Sequence, residues 1–252
     1  MSQNHDTMPR HEVGIIIPVY RATPALPALL QALEKDLAHT DWHAYIIDDS
    51  AHAPTQSFVH QHCTGPRVTC ICLADNSGQQ NAVLCGIRAA LPHCCKFVTM
   101  DDDGQHPARL VPVLLQKLSP QNSLVYAVPI EPDAGVRGMG SHARDVLFRL
   151  CFSLPKDITV SSFRAFTHDV AEHVAAFSGS FFYFSAVALG TKPVVQCISY
   201  NPHTRMFGKS GYTLKKLVLL YCRIIYYYLL CTKQPPRVLY KIESIWEGDE
   251  ST

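Results

Sequence analysis

The run Val13–Pro18, VGIIIP, carries no polar side chain and reads as a strand buried on both faces. The pattern recurs along the first half of the chain. Pro24 to Leu37 places Leu26, Leu29, Leu30, Leu33 and Leu37 at helical spacing, and Ala44–Ile47 is a second apolar strand. Val68–Leu73 is a third strand, and Ser77-Gly78 opens a helix running through Ala90. Phe97–Met100 is a fourth strand, Pro107–Leu118 a helix and Leu124–Val128 a fifth strand. Strands alternating with helices in this way predict an α/β fold, a mostly parallel sheet with helices on both faces. The second half is less regular. Glu131–Gly140 is a Gly/Pro loop, and the helix after it carries Arg144 and Arg149. Thr159–Phe166 is a candidate strand holding Arg164, Phe181–Leu189 an apolar helix or strand, and Pro193–Tyr200 a strand. A helix is predicted from Thr213 to about Leu230.

Polar residues collect where the strands stop: Tyr20, Asp48 and Asp49, Asn76, and the acids of Asp101-Asp102-Asp103-Gly104-Gln105-His106-Pro107. On an extended backbone Asp101 and Asp103 face one way and Asp102 the other. Two like-facing carboxylates repel, and a hard divalent cation such as Mg2+ or Mn2+ relieves that repulsion while leaving positions open for phosphate oxygens. The competing reading is an acidic turn that caps the helix at Pro107–Leu118. Ligands of open α/β sheets bind at the carboxyl ends of strands. Four strand ends supplying oxygens to one edge therefore favour a metal–nucleotide site.

With 47% hydrophobic residues, 252 residues can bury a large core as one domain. A net charge of +1 points away from a nucleic-acid partner. Its distribution is uneven: no Asp or Glu falls between Glu172 and Glu243, where nine Lys and Arg residues lie, while Glu243, Glu247, Asp249 and Glu250 make the tail acidic. Such a basic stretch suits an anionic surface or a phosphate-bearing ligand. Ten cysteines without a CxxC pair predict reduced, cytosolic thiols rather than a zinc site or disulfide framework. The polar N-terminus lacks a signal-peptide core, and Leu217–Leu230 is too short to span a bilayer and contains Arg223. Its tyrosines and basic flanks suit an interfacial helix, with Leu217, Leu220, Ile224 and Tyr228 as the membrane-facing stripe. These features predict a cytoplasmic protein, peripheral on the membrane face. The expected segmentation is a disordered 1–12, an α/β domain at 13–212, interfacial helices at 213–246 and an acidic tail at 247–252.

Five stretches, VGIIIPVY (Val13–Tyr20), IIDDS (Ile46–Ser50), NSGQQNAVLCGI (Asn76–Ile87), VTMDDDGQHP (Val98–Pro107) and SSFRAF (Ser161–Phe166), followed by RMFGKSGYTLKKL (Arg205–Leu217), resemble the ordered motifs of family 2 glycosyltransferases with the GT-A fold. The branch they resemble is that of the polyprenyl-phosphate glycosyltransferases, which includes dolichyl-phosphate mannose synthase. The resemblance implies an inverting transfer of a sugar from a nucleotide-sugar donor, with UDP preferred, to a polyprenyl-phosphate lipid. It implies that Pro18, Val19, Tyr20, Asp48, Asp49, Asn76 and Asp102 meet the nucleotide, and that Asp101, Asp103 and Gln105 hold Mg2+ or Mn2+. Asp101, Asp103 and Arg205 become the catalytic set. Arg137, Ser141, Arg164, Lys209, Ser210 and Tyr212 become contacts to the acceptor or its phosphate.

The chain also departs from the family pattern. Arg21-Ala22 replace the usual Asn-Glu after Tyr20, Asp75 replaces an Arg, Ser50 replaces a Gly, and an Arg is missing at Val128–Ile130. Two other readings remain open on that account: transfer to a soluble hydroxyl with a carboxylate such as Asp102 as base, and a non-catalytic nucleotide-sugar-binding protein. For single residues, Asp48 and Asp49 are helix caps or ribose contacts, Asn76 shapes a turn, Arg164 is a substrate contact or a buried ion-pair partner, and His106 is an exposed helix-start residue.

Overall fold

A computed structural model describes residues 11–63, 65–130, 148–149, 152, 154–201, 214–231 and 233–248. Its centre is one eight-stranded mixed sheet. In chain order the elements are β1 (His11–Val19), α1 (Ala25–Asp36), β2 (Trp42–Asp48), α2 (Ala53–His62), β3 (Val68–Leu73), α3 (Gln79–Ala90) and β4 (Cys94–Thr99). A 3-10 turn (Ala108–Leu110), α4 (Val111–Lys117), β5 (Leu124–Pro129), β6 (Arg164–Thr167), α5 (His168–Ala175), α6 (Phe184–Gly190) and β7 (Val195–Tyr200) follow. The chain closes with α7 (Leu214–Ile225), a π-helical turn (Tyr226–Leu230) and β8 (Ile242–Glu247). Across the sheet the strand order is β7-β5-β6-β4-β1-β2-β3-β8.

The four apolar runs of the first half form the parallel block β4-β1-β2-β3, with Ile15 opposite Ala44 on β2 and Val98 on β4. β6 is inserted antiparallel between β4 and β5, pairing Ala165 with both Val98 and Val125. Alternate residues of β1 feed two cores. Ile16 joins Ile47, Ile71 and the apolar face of α3, while Ile15 and Ile17 pack with Leu26, Leu29, Leu33 and Val111 on the other face. Gly86 permits the close approach of α3, since a Cβ there would lie 2.5 Å from Ile16 Cγ2. Both sides of β1 are dry, which is why its run needs no polar alternation.

Four expectations about elements are corrected. The segment expected as one helix from Pro107 to Leu118 is a 3-10 turn followed by the seven-residue α4, with Pro112 in its first turn. The region assigned to interfacial helices through residue 246 ends in a strand: β8 pairs antiparallel with β3, Trp246 opposite Cys70, and takes in Glu247 of the expected tail. Of the stripe expected to face a membrane, the Leu217 side chain lies outside the described ones and the other three residues face the protein instead. Ile224 is fully buried, and Leu220 and Tyr228 pack on the core beneath α3, α5 and α6. β1 begins at His11, inside the expected disordered segment, whose residues 1–10 lie outside the described ones. No helix among the described residues is long and apolar enough to cross a membrane.

Candidate active site

β4 ends at Thr99, and the acids after it form a turn rather than an extension of the strand. Gly104 takes φ 79°, a left-handed conformation that suits glycine, and reverses the chain after Asp103. Strand alternation therefore does not orient the three carboxylates, and a set of hydrogen bonds does so instead. Asp101 Oδ1 accepts from Gln79 Nε2 at 2.7 Å and Oδ2 from the Ser162 hydroxyl at 3.1 Å. Asp103 Oδ1 accepts the Gln105 N–H at 3.0 Å, closing the turn on itself.

His106 corrects the sequence reading. It is buried, its ring stacks on Phe163 with centroids 4.8 Å apart, and its Nδ1 accepts the Asp101 N–H at 2.9 Å. Accepting at Nδ1 leaves the proton of the neutral ring on Nε2, which lies 3.7 Å from Asp101 Oδ2. The imidazole thus supports the acidic turn from behind. Tyr200, at the end of β7, meets the Phe163 ring edge-on with centroids 6.0 Å apart, so it shares that ring with His106. Burial raises its phenol pKa, and the charges of Asp101 and Asp103 raise it further.

Arg164 is also corrected. It is 3% exposed, and among the described residues its guanidinium makes no ion pair shorter than 4 Å. Its Nε donates to Thr99 Oγ1 at 2.9 Å, one Nη donates to the Ser161 carbonyl at 3.2 Å, and the group lies 3.6 Å over the Phe184 ring. Burial lowers its pKa, opposed by Tyr126, Tyr183 and Asp101. Arg164 is a buried cation without an ion pair among the described residues, and it braces the chain under the acidic turn through Thr99 and the 161–162 backbone.

Of the expected nucleotide contacts, Pro18 and Val19 are buried in β1, and the Tyr20 ring is 55% exposed with the Arg21 guanidinium 5.6 Å from its centroid. Asp48 and Asp49 are both buried and engaged by backbone amides. Asp48 Oδ1 accepts the Ser50 N–H at 2.8 Å. Asp49 accepts the Ser77 and Gly78 N–H groups at 2.6 and 2.7 Å, ahead of α3. Burial pushes the Asp49 carboxyl up to about 6, against those two amides. These carboxylates thus hold the backbone of two connections, Asp48 the turn at Ser50 ahead of α2 and Asp49 the Ser77-Gly78 segment that leads into α3. Asn76 is exposed beside a cavity described below, and Asp102 is half-buried on the acidic turn. Arg137, Ser141, Arg205, Lys209, Ser210 and Tyr212 lie outside the described residues.

Sequence reasoning passed over Gln79, Ser162 and Tyr200, and it placed His106 on the surface. Gln79 and Ser162 stand inside quoted motifs, yet only the fold shows that both reach Asp101. Tyr200 arrives from a strand 97 positions later, and no spacing rule connects it to the turn.

Known proteins resemble this chain in sequence and in fold. Residues 14–188 match the family model of Glycosyl transferase family 2. An undecaprenyl-phosphate 4-deoxy-4-formamido-L-arabinose transferase from an Enterobacter species is 28% identical over 111 residues, 42% of this chain and 33% of that protein. The protein of the same description from Pectobacterium atrosepticum is 24% identical over 243 residues, 92% of this chain and 71% of that one. Among solved structures, glucosyl-3-phosphoglycerate synthase from Mycobacterium tuberculosis, in complex with Mn2+, UDP and phosphoglyceric acid, superposes with a TM-score of 0.63 at 11% identity. It covers 95% of this chain and 88% of that one. A mannosyltransferase from Pyrobaculum calidifontis in complex with GDP-Man and Mn2+ gives 0.57 at 16% identity, covering 91% and 68%. At these identities the two structures establish the fold, a mostly parallel α/β sheet of the GT-A kind.

Proposed function

The chain belongs to glycosyl transferase family 2, and from that premise we propose that it transfers a sugar from a nucleotide-sugar donor to a polyprenyl-phosphate acceptor with the help of a divalent cation. The observation that carries the reading is the turn Asp101–Asp103, whose first carboxylate is held by Gln79 and Ser162 from two different elements. The donor set fits a hard cation. Asp101 and Asp103 offer carboxylate oxygens two residues apart on one turn, while His106 accepts a backbone N–H at Nδ1 and keeps its ring proton on Nε2, so the imidazole offers no lone pair of its own. Asp101 and Asp103, with the Gln105 amide, would hold Mn2+ or Mg2+. Such an ion offsets the negative charge that grows on a departing nucleoside diphosphate.

The residues of the chain divide the remaining work. Gln79, Ser162 and His106 hold Asp101 in one orientation, so little reorganisation accompanies the reaction. Arg205, in its R-x-x-G-x-S-x-Y segment, is assigned to phosphate through charge-assisted hydrogen bonds. A phosphate acceptor is already an anionic nucleophile and needs no strong general base, which suits a site whose histidine is occupied. Attack on the face opposite the leaving group inverts the anomeric centre. Support for the acceptor comes from the two undecaprenyl-phosphate transferases, and for the cation and a UDP donor from the synthase solved with Mn2+ and UDP.

A thermal-shift panel of UDP, GDP and dTDP sugars, with and without Mn2+, tests the donor side. A ligand at ~100 times its Kd stabilises the fold by about 2.7 kcal/mol, so UDP sugars with Mn2+ should raise Tm by several degrees. A panel in which no nucleotide sugar shifts Tm with either cation status contradicts the reading.

A further inference from the structure

Beside the acidic turn, a cavity of about 440 Å³ opens between the N-terminal end of α3 and the first residues past Gly179, closed from outside by α7 and the segment leading to β8. Its lining holds two guanidiniums, Arg223 and Arg237, and no carboxylate. Among the described residues neither arginine forms an ion pair. Arg223 instead lies over the Phe181 ring, 4.7 Å from its centroid, and Arg237 is exposed. The opposite wall is made of amides and hydroxyls from Asn76 to Asn81, and of Ser180, whose Oγ is buried without a hydrogen-bond partner. Phe182, Val238 and Leu239 supply an apolar side, and Val238 is also 82% exposed, so that side continues to the outer surface.

The walls are fixed before any ligand arrives. Phe181 N–H donates to Gln234 Oε1, Phe184 N–H to Gln80 Oε1, and the Tyr228 hydroxyl donates to the Phe181 carbonyl at 2.8 Å while accepting the Tyr183 N–H at 3.0 Å. Two cations facing no acid, beside an orphaned hydroxyl, recognise an oxyanion, because a guanidinium presents several N–H donors to phosphate oxygens. The continuous apolar side suits a hydrocarbon attached to that anion. Gln79 belongs to the cavity wall and donates to Asp101, so an anion held here is separated from the acidic turn by one side chain.

We infer that this cavity binds the phosphate monoester of the acceptor, with Arg223 and Arg237 as its ligands. The inference rests on the phosphate-acceptor reading above and locates that acceptor on residues that the family motifs do not include. The expected partner is a phosphate monoester on an isoprenoid chain, with inorganic phosphate or a soluble phosphate ester as the other source of the same anion.

Titration calorimetry of the full chain with geranyl phosphate, inorganic phosphate and geraniol separates these cases. Geranyl phosphate is expected to bind at least tenfold more tightly than either of the others. Arg237→Ala, at an exposed position, should weaken that binding by roughly tenfold with the melting temperature unchanged. Arg223→Lys keeps the charge over Phe181 and should weaken it less than Arg223→Ala does. Absence of binding to any phosphate probe, or an affinity that neither Arg237→Ala nor Arg223→Ala alters, overturns the cavity assignment. Equal affinities for inorganic and geranyl phosphate, both lost in the arginine variants, keep the phosphate site and overturn the lipid reading on which the choice of occupant rests.

Discussion

His43 stands in β2 between His11, whose ring stacks on it at 4.8 Å, and His93, with its Nε2 on Thr69 Oγ1 at 2.8 Å and its Nδ1 buried without a partner. Burial, then the charges of His11 and His93, lower its pKa to about 4 from 6.5. The folded chain therefore binds fewer protons than the unfolded chain between pH 6.5 and 4, and its stability falls as pH drops through that window. Asp49 acts in the opposite sense. Its pKa, raised to about 6, makes its contribution less favourable as pH rises from 4 to 6. The two partly cancel, so the informative quantity is a difference. Tm of His43→Gln should decline less steeply than wild type between pH 6.5 and 4, and an identical slope would refute the assignment. Residue chemistry at this level was only partly legible in the sequence. The acids after β4 announced themselves, but whether Asp49 faces ribose or two N–H groups depends on where α3 starts in space. Likewise, His106 reads as a surface residue until Phe163 is placed against its ring.

At the scale of elements, α7 shows how a correct pattern can be read onto the wrong face. Leu220, Ile224 and Tyr228 do fall at helical spacing, and they pack against the core. The opposite side, with Leu219 at 60%, Tyr226 at 55% and Leu230 at 69% exposure, carries the open apolar surface, and Arg223, Lys233 and Arg237 are exposed nearby in the chain. Were that outer side to meet an anionic bilayer, apolar burial and roughly 1 kcal/mol per basic residue would add at low salt. Sedimentation with anionic liposomes checks this: Leu219→Glu with Leu230→Glu should lower the bound fraction and rising salt should release wild type. Equal pelleting of the variant would contradict it. Other elements left weak traces in the sequence for physical reasons. α2 buries only Thr55 and Val59, too few for an apolar period, and β8 is half exposed along its length, so IESIWE shows no apolar run. By contrast β1 to β4 are covered on both faces, and each is visible as a continuous apolar run.

For the whole molecule, the alternating strands and helices predicted a parallel α/β sheet, and the block β4-β1-β2-β3 is that sheet. The antiparallel additions, β6 between β4 and β5 and β8 beyond β3, follow from long connections that no local pattern encodes. Their effect is functional. β6 brings Ser162 and Arg164 under the acidic turn, and the chain ahead of β8 brings Arg237 over the end of α3. The central claim is that this assembly makes Asp101 and Asp103 the cation ligands of a nucleotide-sugar site. It is tested most directly by the Mn2+-dependent part of the Tm shift produced by a nucleoside diphosphate, in wild type, Asp101→Asn and Asp103→Asn. An amide keeps a hydrogen-bond acceptor for Gln79 or for the Gln105 N–H, and it removes carboxylate repulsion, so the unliganded Tm should stay level or rise slightly. Wild type should gain several degrees from nucleotide with Mn2+, and each variant should lose the Mn2+-dependent share of that gain. Two variants that retain the full Mn2+-dependent shift would contradict the account.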